Sequence, residues 1–248
     1  MFLKRVKNFK RIVVRTPSLF ALPAVLMFAA ACTIARPAPL TAQVAGRASG
    51  FRIVVSLADR HLWVLGADGD TLRSAIAAIG VGSTLHYRAQ AWTFQTPRGT
   101  RTVLRKEADP VWVPPEWFYV QAAEENDLKL ARVSMTHAVM LADGRRLEVR
   151  HGMVGVAGAD STFDSLPIDE HIVFDNTLFI PPIGTQNRRV DGALGKYRLD
   201  LGNGYLLHGT PDKTSIGTAA THGCIRLGDD DIQWLYENVP VGTRVYIY

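Results

Sequence analysis

Phe51-Arg-Ile-Val-Val-Ser-Leu57 and His61-Leu-Trp-Val-Leu65, joined by Ala58-Asp-Arg60, decide the architecture of this chain. Both runs are short, rich in β-branched and large apolar residues, and separated by a brief connection, which reads as two strands of a hairpin. Working outward, the same signature recurs. Asp143-Gly144 separates Ala138–Ala142 from Arg145–Arg150, and Gly202-Asn203-Gly204 separates Tyr197–Leu201 from Tyr205–His208. Asp68-Gly69 is a third such pair, and these residues supply the positive φ that tight hairpin turns require. Thr243–Tyr248 is a further β-type run. Helical patterns are few. Pro114-Pro115 leads into Glu116–Leu130 with the proline and acid that suit a helix start. Asp229–Val239 sets Ile232, Leu235, Tyr236 and Val239 on one face behind three aspartates. The expectation is a mainly β domain, largely antiparallel, with one or two peripheral helices.

The composition agrees with a globular protein that buries a core: 248 residues, 47% hydrophobic and 21% charged. Two cysteines exclude a disulfide-stapled miniprotein. The net charge of +5 is misleading, because residues 1–42 hold seven cations and no acid. Subtracting those seven leaves −2 for the remainder, which gives no argument for a nucleic-acid partner.

Residues 1–16 are basic, and Pro17–Ala35 carries no charge. A basic region followed by an apolar one and small residues describes a secretory signal. Nineteen uncharged residues would just span a bilayer, but Pro23 and the five alanines between Ala21 and Ala31 weaken that reading. Either reading makes the protein exported, to the periplasm or cell envelope, with membrane attachment through the N-terminus open. Two processing sites fit. Ala29-Ala-Ala-Cys32 resembles a bacterial lipobox, with Cys32 the lipidation candidate and Ala29 standing where Leu is usual; Leu40-Thr-Ala42 before Gln43 resembles a signal-peptidase site. The expected organisation is a signal or lipoprotein anchor over 1–42, a Pro/Ala/Gly-rich tether over 36–49, and a folded domain over 50–248.

That domain retains one cysteine, Cys224, two residues after His222 and sixteen after His208, with glycines beside all three. A thiol needs a base or a nearby cation to populate its thiolate, and histidine is the usual partner. Glycine before the nucleophile lets backbone N–H groups approach a reacting carbonyl. Two other readings compete: a satisfied buried thiol with structural histidines, and a zinc site on His208, His222 and Cys224. The zinc reading is the weaker, because His-x-Cys is not a usual ligand spacing and no acidic base lies nearby.

The order His208-Gly209-Thr210, then Thr221-His222-Gly223-Cys224-Ile225-Arg226, resembles the signature of bacterial L,D-transpeptidases with a YkuD-like catalytic domain. Thr96-Pro-Arg-Gly99 resembles the family's TPxG segment, and Val111-Trp-Val-Pro-Pro115 its W-x-PP segment. Pro181-Pro182, Leu194-Gly-Lys-Tyr197 and Gly242-Thr-Arg-Val245 follow in the family's order. The resemblance covers roughly 51–116 and 181–248. Thr221 stands where Ser is commoner, and Trp117–Ile180 is longer than the family usually carries. That stretch reads as an inserted helix plus hairpin.

The resemblance implies a β-sandwich or open-barrel fold and acyl transfer on the tetrapeptide stems of peptidoglycan, with no metal or organic cofactor. Cys224 would be the nucleophile and His208 the base, oriented by the Gly209 carbonyl. The N–H groups of His222, Gly223 and Cys224 would form the oxyanion hole, and Arg226, Tyr205 and Thr221 would meet substrate. An amine from a neighbouring stem would complete a crosslink. Water would make the same site an L,D-carboxypeptidase, and a protein amine would make it a protein-to-wall ligase. An inactive wall-binding module is the alternative from another class.

Overall fold

The computed structural model describes residues 50–248. The export, anchoring and lipidation expectations for residues 1–42, Cys32 included, lie outside the described residues. Strands β1 (Arg52–Ser56) and β2 (His61–Leu65) form the expected hairpin, and β3 (Thr71–Gly80) continues it as an antiparallel meander. Their side chains alternate as a half-buried sheet demands. Ile53, Val55, Leu62 and Val64 are fully buried, while the residues between them are not. A small hairpin follows, β4 (Thr84–Tyr87) with β5 (Gln90–Thr93), and then β6 (Gly99–Thr102) and β7 (Arg105–Ala108).

The remaining strands of the main sheet come from the C-terminal third. They are β15 (Tyr197–Asp200), β16 (Leu206–His208), β17 (Ala219–Thr221), β18 (Ile225–Leu227) and β19 (Arg244–Ile247). The ten strands run β6-β19-β1-β2-β3-β18-β16-β15-β7, with β17 added alongside β3. Pairings β1–β19, β16–β18 and β17–β3 are parallel and the rest antiparallel. This order dictates curvature. β6 and β7 occupy opposite edges of the path, yet only Val103 and Leu104 separate them in sequence. Three Cα–Cα steps span at most about 11 Å, so the edges must approach and the sheet curls into a half-barrel. Backbone bonds at the seam agree, with the Val103 N–H donating to the Thr243 carbonyl (2.9 Å) and the Leu104 N–H to Asp200 (2.8 Å).

Helix α2 (Asp229–Asn238) supplies Ile232 and Leu235 to the core inside this curl. Helix α1 (Glu116–Glu125) starts behind Pro114-Pro115 as expected but stops well before Leu130. The Asn126 side chain donates to the Ala122 carbonyl (2.8 Å), and Asp127 takes a left-handed conformation, φ 53°. The next residues are then drawn into strand pairing.

The inserted segment contains the expected helix and hairpin and adds further strands. β9 (Val139–Met140) pairs with β10 (Arg146–Arg150), and β11 (Met153–Ala157) and β12 (Phe163–Ser165) extend them to a four-stranded sheet. β8 (Lys129–Arg132), β13 (Ile172–Phe174) and β14 (Thr177–Ile180) form a three-stranded one. Val133, Leu141, Leu147, Val154, Val156, Ile172 and Phe179 give this segment its own apolar cluster. Arg188 fastens both of its ends: Nε donates to the Pro114 carbonyl (2.8 Å) and Nη1 to the Pro181 carbonyl (2.7 Å), while the guanidinium lies over the Tyr119 ring. Burial pushes the Tyr119 hydroxyl up to about 12, with Arg188 acting in the opposite direction.

Candidate active site

The site begins with a register. In the parallel pair β16–β18, Leu207 faces Ile225 and His208 faces Arg226. Leu207, Ile225 and Leu227 point into the core. Side chains alternate along a strand, so His208 and Arg226 share the opposite face, and Cys224 stands two residues before Arg226, immediately ahead of β18. β18 also pairs with β3, where Arg226 opposes Ala78.

His208 is buried, and its Nδ1 lies 2.6 Å from the Gly209 carbonyl oxygen. A carbonyl oxygen can only accept, so Nδ1 carries the proton and Nε2 keeps its lone pair. Gly195, φ 69°, makes this arrangement possible. A Cβ there would fall 2.7 Å from the Gly209 carbonyl carbon, so the Leu194-Gly195 turn can press against Gly209 only without a side chain. Desolvation lowers His208 to about 4, with help from the Arg226 charge and against the Gly209 bond.

Cys224 follows a turn that Thr221 ties internally. The Thr221 hydroxyl donates to the Cys224 carbonyl (2.6 Å) and accepts from the Gly223 N–H (3.1 Å). Thr221, a substrate-binding expectation, is buried and ties the turn on both sides. The Gly223 N–H, an oxyanion-hole expectation, bonds to the Thr221 hydroxyl inside the turn. Gly223 itself has φ 123°, and a Cβ there would lie 3.1 Å from both the Gln95 carbonyl oxygen and the Tyr205 ring. Tyr205 thus flanks the turn, with the Arg101 guanidinium over its ring at 4.8 Å from the centroid.

The Thr96-Pro-Arg-Gly99 segment seats the turn from the other side. Thr96 Oγ1 accepts from the Gly80 N–H (2.8 Å), and backbone atoms of residues 94–96 cross Gly80 where a Cβ would collide with them at 2.5–2.9 Å. The end of β3 then receives β17, with the Val81 N–H donating to the Thr221 carbonyl (2.9 Å).

Cys224 is partly accessible, and its Sγ lies 3.6 Å from the Gly204 carbonyl. Desolvation pushes the thiol up to about 11; a backbone bond from Leu206 and the Arg226 charge act the other way. Arg226 is itself lowered by burial and steadied by Asp212. His222 is lowered to about 4 by burial and by Arg226. It stacks on Trp117 and bonds to Gln121, both on α1. Nothing in the sequence pointed to Trp117, Gln121, Arg101 or Arg188. Among the described residues, no group of three His, Cys, Asp or Glu side chains is disposed to hold a metal ion.

A family model for the L,D-transpeptidase catalytic domain (YkuD) matches residues 50–247. The chain is similar to "Probable L,D-transpeptidase ErfK/SrfK" of Escherichia coli, 49% identical over 57 residues, which cover 23% of this chain and 18% of that protein. The Salmonella typhimurium protein of the same name is 29% identical over 196 residues, covering 79% of this chain and 43% of that protein. The chain spans less than half the length of these curated relatives. Among solved structures it is similar to the L,D-transpeptidase from Xylanimonas cellulosilytica, at 18% identity and a TM-score of 0.42, covering 86% of this chain and 65% of that one.

Proposed function

This chain belongs to the L,D-transpeptidase catalytic-domain family, and from that premise we propose that it crosslinks peptidoglycan stem peptides through an acyl-enzyme on Cys224. The observation that supports the reading is the β16–β18 register, which pairs His208 with Arg226, two residues after Cys224, while Gly209 fixes the imidazole tautomer.

In this mechanism Sγ attacks the carbonyl of the third stem residue as its proton passes to His208 Nε2. The bond to the fourth residue breaks, and the departing amine takes that proton. The negative oxygen forms beside the N–H groups of His222 and Cys224. An amine from a second stem then attacks the thioester, forms the new amide and releases the thiol. Arg226 and Tyr205 flank the acyl position, and Arg226 offers charge to a stem carboxylate. The same proposal puts the domain outside the cytoplasm, delivered by the basic and apolar N-terminal stretch, with Cys32 the candidate lipidation site.

The test is to incubate the full chain with a disaccharide-tetrapeptide and separate the products by chromatography and mass. Crosslinked dimers that vanish in Cys224→Ala support the reading. Tripeptides alone would reassign the site to hydrolysis. An unchanged substrate, with the protein folded, would overturn it.

A further inference from the structure

The inserted helix reaches the candidate site along one stripe. Trp117, Gln121 and Glu125 recur at four-residue spacing on α1 and so stand on one helix face. The Gln121 amide nitrogen donates to Glu125 Oε1 (3.0 Å), which leaves its carbonyl oxygen to face His222 Nε2 at 2.9 Å. That oxygen only accepts, so His222 carries its proton on Nε2. Trp117 covers the same ring, stacked at 4.0 Å between centroids and 18° between planes. Phe94 meets it edge-on at 4.5 Å.

None of these contacts touches a reacting atom. All of them fix the residue that precedes Gly223-Cys224. The turn has one internal tie, at Thr221, and a glycine at φ 123° about which it could swing. The His222 ring is a further tie, and its stacking partner Trp117 and hydrogen-bond partner Gln121 both come from the inserted segment.

We propose that Gln121 and Trp117 are positioning residues: they hold His222 as its Nε2–H tautomer and thereby fix the 221–224 turn that presents Cys224. The inserted segment is then a working part of the site. The inference rests on the reading of Cys224 as nucleophile. Arg226 on β18 is the charged group that faces His222, Glu125 stands beyond the Gln121 amide, and Phe94 and Trp117 are uncharged. Burial and Arg226 both oppose protonation of the ring, in keeping with a neutral acceptor such as an amide.

The test compares the full chain with Gln121→Ala and Gln121→Glu. The probe is a carbapenem, and the readout is the acylation rate of Cys224 from pH 5 to 9, with the His222 ring titrated by NMR in each protein. Gln121→Ala is expected to slow acylation by about 10- to 100-fold, the scale that small misplacements produce, with little change in Tm. Gln121→Glu keeps an acceptor and is expected to recover most of the rate. It adds a carboxylate beside the ring, so the His222 titration and the pH profile of acylation both move upward. Wild-type rates and an unmoved pH profile in both variants would overturn the proposal. If wild type itself is not acylated, the nucleophile reading fails instead. The His222 titration then still decides the contact, and an unshifted ring in Gln121→Glu would refute it.

Discussion

His208 and Arg226 are register partners across the parallel strands β16 and β18, so a buried imidazole and a buried guanidinium share one face of the sheet. The cation and the loss of water both disfavour a second positive charge, and His208 falls to about 4. Burial acts on the thiol in the opposite sense, raising Cys224 to about 11. At neutral pH the resting pair is thiol and neutral imidazole. In the proposed mechanism, proton transfer then accompanies attack on the acyl carbon, with no standing thiolate–imidazolium pair before it.

Alkylation kinetics follow from this. The rate of Cys224 modification by iodoacetamide should be low at pH 7 and still climbing at pH 9.5, because reactivity tracks the thiolate fraction. A plateau already reached by pH 7 would mean a preformed thiolate and would contradict the neutral pair.

Stability should depend on pH through the same histidines. The folded-state value of His208, about 4, lies below its unfolded value of 6.5, so between them the unfolded chain binds more protons. The contribution is fully present above pH 6.5 and is lost as pH falls toward 4, by roughly 3 kcal/mol for a fully buried ring. His222 acts in the same direction. Urea midpoints measured from pH 7.5 to 4.5 should fall, and less steeply in His208→Gln.

Thr221→Val should cost about 1–3 kcal/mol, because it leaves the Gly223 N–H and the Cys224 carbonyl without their shared partner. Thr221→Ser keeps the hydroxyl and should remain near wild type in both stability and acylation. A loss in Thr221→Ser beside a near-wild-type Thr221→Val would show that the methyl group matters and the hydroxyl does not.

Arg188→Met removes the donor to the Pro114 and Pro181 carbonyls at the two ends of the inserted segment. Destabilisation on the order of 2–4 kcal/mol is expected. Hydrogen exchange should rise first in β8 and β14. Faster exchange confined to the half-barrel would contradict this placement of the bolt.

The hairpins were legible because their turns announce themselves. Gly202-Asn203-Gly204 and Asp143-Gly144 occupy the positive-φ positions they imply, with φ 82°, 53° and 79° for the first three and 84° for Gly144. The two helices were legible at their starts, where proline and aspartate stand. The end of α1 was not, since Asn126 and Asp127 stop it through a local bond and a left-handed turn that apolar periodicity does not encode. Long-range pairings such as β6–β19 were equally silent, because their partners lie over a hundred residues apart. At the site, the Cys and His residues stood out by type and spacing. Gln121 did not: an amide on an acidic helix reads as solvated surface until the fold brings it to His222.

The most direct measurement is intact-protein mass spectrometry of the full chain after incubation with a carbapenem. The account predicts a single covalent adduct on wild type that disappears in Cys224→Ala and forms far more slowly in His208→Ala. Folded wild-type protein that stays unmodified, or an adduct that persists without Cys224, would contradict it.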